Sequence, residues 1–261
     1  MSRRWTGCCC TAAITVSLLA SACGGGEKSP APPAATGASA PAPAAVDAAT
    51  AATVTGTISF AGTAPAPVPI KMTSDPSCAQ PGAPPAVRED VMVGSGGGLQ
   101  NVFVYVKDGL GNRTFAAPEA PVVLDQKGCH YLPHVLGIQV GQPLEIRNDD
   151  ATLHNVHAMA KQNAEFNQGQ PLQGMKNIHT FSTKEVMVPF KCDVHGWMNA
   201  FIGVLDHPFY AVTSADGSFS LKGLPPGTYT IEAWHEKLGT QTQMVTVGEK
   251  ETKDVAMTFK L

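Results

Sequence analysis

Cys192, His195 and Met198 fall within one seven-residue stretch, Cys192-Asp193-Val194-His195-Gly196-Trp197-Met198. A single tight loop would therefore offer a thiolate, an imidazole and a thioether. Soft sulfur and borderline imidazole together suit copper in both oxidation states, and a trigonal His2Cys set with a weak axial Met is the blue-copper ligand pattern. Zinc, the main competitor, prefers four firm ligands and seldom uses Met. One imidazole is still needed. The run Asn148-Asp149-Asp150-Ala151-Thr152-Leu153-His154-Asn155-Val156 follows a strand expected to end near Arg147, and its His154 is the natural candidate.

The elements that must position these residues read as strands. Short β-branched and aromatic runs alternate with Gly, Pro and Asn/Asp clusters, and no segment holds a 3.6-residue apolar period for several turns. The clearest strands are Val54 to Phe60, Val102 to Val106, Val135 to Val140, Leu144 to Arg147, Val186 to Phe190 and Phe201 to Leu205. Val186, Val188 and Phe190 share the parity of Cys192, so a regular strand would aim all four side chains at one core. Gly94 to Gly98 lacks the Lys-Ser/Thr ending of a phosphate loop and reads as a connection.

A strand, an Asn, a short turn and His154-Asn155-Val156, followed later by Cys192-x2-His195-x2-Met198, resembles the cupredoxins of amicyanin and plastocyanin type. The resemblance covers about 99–207 and implies a Greek-key β-sandwich with one type 1 copper at its end, held by His154, Cys192, His195 and Met198. It implies that Asn155 braces the ligand loop and donates a backbone N–H towards the thiolate. It also implies an electron port at the exposed edge of His195, with Trp197 and Met198 nearby. One departure is Gly196, which stands where the family has proline. Multicopper oxidases and copper nitrite reductases need further histidines, commonly His-x-His, and a binuclear copper site needs two cysteines in one loop; neither pattern occurs. The expectation is an electron carrier working between redox protein partners, not an enzyme. A copper carrier or sensor and a structural surface lipoprotein are the alternatives. His130, His134, His157, His179, His207 and His235 receive no role.

Residues 1–23 begin with Arg3 and Arg4, continue with a mostly apolar run and end Leu19-Ala20-Ser21-Ala22-Cys23, which reads as an export signal. The ending resembles a bacterial lipoprotein cleavage box, which implies lipidation of Cys23 and a membrane anchor facing the periplasm or cell surface; ordinary signal cleavage after Ala20-Ser21-Ala22 is the alternative, and both export the protein. Cys8, Cys9 and Cys10 would leave with the signal. Of the cysteines beyond Cys23, three in an oxidising compartment suggest one disulfide and one thiol kept for another purpose, with Cys78 and Cys129 the candidate pair. Residues 24–52, rich in Ala, Pro and Gly, read as a tether that cannot bury enough surface to fold. The formal charge of −3 becomes −5 once Arg3 and Arg4 are lost, and no basic stretch points to nucleic acid.

From Pro208 the character changes. The stretch Ala215-Asp216-Gly217-Ser218-Phe219 to Leu224-Pro225-Pro226-Gly227-Thr228-Tyr229 resembles the carboxypeptidase regulatory-like domain, a small Ig- or transthyretin-like β-sandwich, and Ser218 to Leu221 and Thr228 to Trp234 read as its strands. Such modules imply no peptidase activity. Residues 208–261 are few for an independent sandwich, so two arrangements stay open: the segment borrows strands from 53–75, within an N-terminal region 53–98, which would make the copper region an insertion, or it packs on its neighbour. The expected fold class is all-β, with two sandwiches.

Overall fold

The structure, a computed structural model, describes residues 46–78 and 86–261. Cys23 and residues 24–45 of the expected tether lie outside them. Among the described residues there is no helix, and hence none long and apolar enough to cross a membrane.

The strands are β1 (Ala52–Phe60), β2 (Phe103–Asp108), β3 (Val122–Gln126), β4 (Tyr131–Leu132), β5 (Val135–Gln139), β6 (Pro143–Asn148), β7 (His154–Ala158) and β8 (Phe166–Gln170). They continue as β9 (Lys176–Thr180), β10 (Glu185–Lys191), β11 (Asn199–Leu205), β12 (Tyr210–Val212), β13 (Ser218–Leu224), β14 (Gly227–His235), β15 (Gly239–Val247) and β16 (Thr252–Phe259). They form four sheets, β13-β1-β16, β12-β2-β14-β15, β5-β11-β10-β7-β8 and β4-β3-β6-β9.

The first two sheets enclose one core and the last two another. Val54, Ile58, Val104, Leu221, Ile231, Val245 and Phe259 belong to the first. Leu124, Ile138, Leu144, Ile146, Val156, Phe190 and Ile202 belong to the second. Chain order explains the arrangement: the chain lays down β1 and β2, leaves to build β3–β11 as a Greek-key sandwich, and returns with β12–β16. β1 pairs antiparallel with β13 and parallel with β16. The β2 strand pairs with β12 and β14, so Val102 to Val106, expected at the start of the copper region, belongs to the other sandwich. The packed chain also begins earlier than the tether reading allowed, because Val46 already rests on the first core.

The two sandwiches meet through a third cluster that includes Phe103, Tyr105, Val135, Met187 and Leu205. Its closeness depends on two glycines paired across β5 and β11, Gly137 and Gly203. A Cβ on Gly137 would lie 2.3 Å from the Tyr210 ring, and one on Gly203 would lie 2.3 Å from the Phe103 ring. The missing side chains are the space those aromatic rings fill.

The regular alternation expected through Val186 does not hold. Met187 has φ 62° and the β10–β11 register shifts between Glu185 and Val188. This bulge turns Val186 and Met187 towards the junction cluster, while Val188, Phe190 and Cys192 keep the parity that faces the inner core.

Candidate metal centre

The centre lies at one end of the inserted sandwich, where β6 turns into β7 and β10 runs into the loop before β11. Asn148, fully buried at the end of β6, shapes the first turn. Its Oδ1 accepts from the Asp150 amide at 2.9 Å, and its Nδ2 donates to the carbonyls of Thr152 and Gln170, both at 2.9 Å. His154 thereby enters β7 pointing inward. The second loop is closed by Cys192 N donating to Met198 O at 3.1 Å and Met198 N donating to His195 O at 2.9 Å.

These turns bring His154, Cys192 and His195 together, with donor atoms within 4.8 Å of one another. The Nδ1 atoms of His154 and His195 face each other at 2.9 Å, and Cys192 Sγ lies 3.9 Å from His195 Nδ1. Each ring is held from behind by a carboxylate: His154 Nε2 lies 2.9 Å from Asp150 Oδ2, and His195 Nε2 lies 2.9 Å from Asp75 Oδ2. With each Nε2 turned to its carboxylate, both Nδ1 atoms converge beside the thiol, bridged in the metal-free site by a proton whose place a cation could take. The donor set therefore fits a metal ion that accepts nitrogen and sulfur. Met198 is 2 % exposed and packs in the same core as Cys192.

Asn155 braces the loop chiefly through its side chain. Its Oδ1 accepts from the Asp193 amide at 2.7 Å, the Val194 amide at 3.3 Å and the Cys192 thiol at 3.3 Å. Burial opposes ionisation of Cys192, but the hydrogen bond with His154 and the amides of Asn155, His195 and Val194 outweigh it, so the thiol titrates below its ordinary value. Burial likewise opposes charging His154, yet Asp150 and Cys192 raise its pKa to about 9. In the metal-free site, protons occupy part of the space that a cation would take.

Cys78 and Cys129 are disulfide-bonded, and Cys192 is the free cysteine among the described residues. Cys78 and Cys129 also come close to His195 and His154, but a disulfide offers no thiolate, so these are not alternative ligands. Gly128 and Cys129 adopt φ 62° and 56°, which points both amides at Asp150, with N···O distances of 2.7 and 2.8 Å. Among the described residues, the remaining histidines stand apart from the centre. His157 pairs with Glu165 and Asp193, His179 stacks on Phe166, His130 bonds to Gly128 O, and His134 bonds to Glu236.

The expected electron port is corrected. His195 is only 2 % exposed, and the Nε2 edge that the family resemblance would place in solvent is covered by Asp75 and by Cys78 Sγ, 3.7 Å away. Trp197, whose ring centroid is 5.1 Å from that of His195, and Gly196 instead line a cavity of about 550 Å³ together with His130 and Lys71. Sequence reasoning passed over Asp75 and Asp150. Asp150 stands four residues before His154, so its reach was there to be considered; Asp75 is 120 residues from its partner and carried no signal.

Residues 199–261 match the carboxypeptidase regulatory-like domain. The observed module is wider in one sense and narrower in another: it also contains β1 and β2, whereas β11, inside the matched range, lies in the inserted sandwich. No curated protein matches the chain. Solved structures similar to it include the copper-containing nitrite reductase of Thermus scotoductus SA-01, 22% identical over 38% of this chain and 25% of that one, TM-score 0.32. An oxidised mutant of amicyanin is 24% identical over 39% of this chain and 97% of that one, TM-score 0.30. A purple cupredoxin from Nitrosopumilus maritimus is 24% identical over 33% and 98%, TM-score 0.27. The chain thus spans a quarter of the nitrite reductase and nearly all of the two smaller proteins. The reading of the site rests on this chain's own residues.

Proposed function

We propose that this chain is an extracytoplasmic type 1 copper protein that carries single electrons between redox partners, tethered to a membrane through a lipidated Cys23. His154 and His195 would hold the metal through Nδ1, Cys192 as thiolate and Met198 as a weaker thioether ligand. One observation carries the reading: two buried Nδ1 atoms face each other at 2.9 Å beside the free thiol, while both Nε2 atoms are tied to carboxylates. Bound copper would supply a one-electron couple. The protein's own part is to keep the ligands in one arrangement and to exclude water, which His154, Cys192 and His195, each at 2 % exposure or less, are placed to do.

The same burial weighs against a carrier or sensor, which needs a ligand edge that a partner can reach to exchange metal. With the His195 edge covered, electrons would pass on the Trp197 side. Adding Cu(II) to the purified protein should produce an intense visible thiolate-to-copper absorption that Cys192→Ser abolishes. A colourless wild-type protein would sink the proposal.

A further inference from the structure

Both imidazoles are gripped from outside by one covalently closed unit. Asp75 Oδ2 accepts from His195 Nε2 at 2.9 Å and from the Thr152 hydroxyl at 3.1 Å, while its Oδ1 accepts from the Ser77 amide at 2.8 Å. The carboxylate therefore has both oxygens fixed and cannot swing to solvent without breaking several bonds. Three residues on, Cys78 is bonded to Cys129, whose own amide donates to Asp150 Oδ2, the oxygen that holds His154 Nε2 at 2.9 Å. The segment carrying Asp75 is pinned at its other side as well. Met72 is buried in the inner core, and Ile70 N donates to Ala86 O at 2.7 Å.

From this we infer that Asp75 and Asp150, joined through the Cys78–Cys129 disulfide, act as a clamp that positions both metal-binding histidines and closes the outer edge of the site. The inference rests on the copper reading above. Asp75 and Asp150 are positioning residues: they touch no metal, but they fix which ring nitrogen carries the proton and which faces inward. Partners of this kind orient ligands and raise their basicity, and their loss typically lowers metal affinity about 10- to 100-fold. The clamp also places two carboxylates behind the ligands, and fixed negative charge favours the more positive oxidation state of a bound ion.

Asp75 is the member to test, because it is partly exposed and lies outside the regular strands. In copper-loaded wild type, Asp75→Asn and Asp75→Ala, the midpoint potential and the rate of copper removal by EDTA would be measured. Asp75→Asn keeps one oxygen for His195 Nε2 and the Thr152 hydroxyl but loses the charge and the acceptor for the Ser77 amide, so its potential should rise while removal accelerates less than in Asp75→Ala. Asp75→Ala loses both oxygens and the charge, so its potential should rise and removal should accelerate about tenfold or more. Asp75→Asn is nearly isosteric and guards against a folding defect in the alanine variant. If the wild-type protein shows the thiolate band and both variants keep its potential and removal rate, the clamp is overturned while the copper reading stands. If the wild-type protein shows no band, the copper reading itself fails and the clamp with it.

Discussion

At the residue scale, Asn155 does work that a hydrophobic side chain of similar size cannot. One oxygen receives the Asp193 and Val194 amides and the Cys192 thiol, and Nδ2 donates to Asn167 Oδ1 at 2.6 Å. Asn155→Leu leaves those donors without their acceptor at a position only 8 % exposed. It should destabilise the protein by about 1–3 kcal/mol in urea denaturation. It should also broaden or shift the thiolate band of the copper-loaded form, and an unchanged spectrum would assign Asn155 to packing alone. Its importance was legible in the sequence through the His154-Asn155-Val156 pattern. The use of the side-chain oxygen was not, since it depends on how β7 passes the loop after Cys192.

Elements show a different balance. Strands with clear apolar alternation were legible: β1 places Ala52, Val54, Ile58 and Phe60 on one buried face. The strands β8, β9 and β15, with sequences FNQGQ, KNIHT and GTQTQMVTV, were not read, because each is a polar edge strand bonded to a neighbour on one side only. An edge strand can be formed by backbone pairing without a continuous apolar face, so alternation is a weak guide to it. The glycine pair in β5 and β11 is an element-scale feature with a measurable cost. Gly203→Ala forces a methyl to within 2.3 Å of the Phe103 ring. It should lower stability by about 1–3 kcal/mol in urea denaturation, and Phe103→Leu should recover part of that loss by making room.

For the whole molecule, acid stability is set partly by two histidines outside the candidate metal centre. His207 and His235, each about 2–3 % exposed, are held near pKa 4, chiefly by burial. His207 donates from Nε2 to Val106 O at 2.9 Å and accepts the Phe209 amide on Nδ1 at 3.2 Å, so a second proton would have to face an N–H. An unfolded histidine titrates near 6.5. Their stabilising share is therefore complete above about pH 6.5 and is lost as the pH falls towards 4, because the unfolded chain binds protons there that the folded chain refuses. Each contributes a slope of up to about 1.4 kcal/mol per pH unit in that window. Urea denaturation of the metal-free protein at several pH values should show a shallower acid decline for His207→Gln than for wild type. Parallel declines would remove His207 from the account.

The sequence alone carried the local chemistry: the donor types between Cys192 and Met198, the His154 turn, the cysteine arithmetic and the turn-rich β character are all set by residues close together in the chain or by simple counts. Tertiary structure decided what depends on distant segments meeting. It brought Asp75 over His195 across 120 residues, buried an edge that local reading would leave exposed, and placed β2 in the other sandwich and not in the one that holds the candidate site. Ligand type is a property of side chains. Access to a ligand, and the carboxylate behind it, depend on which loop the fold lays across it.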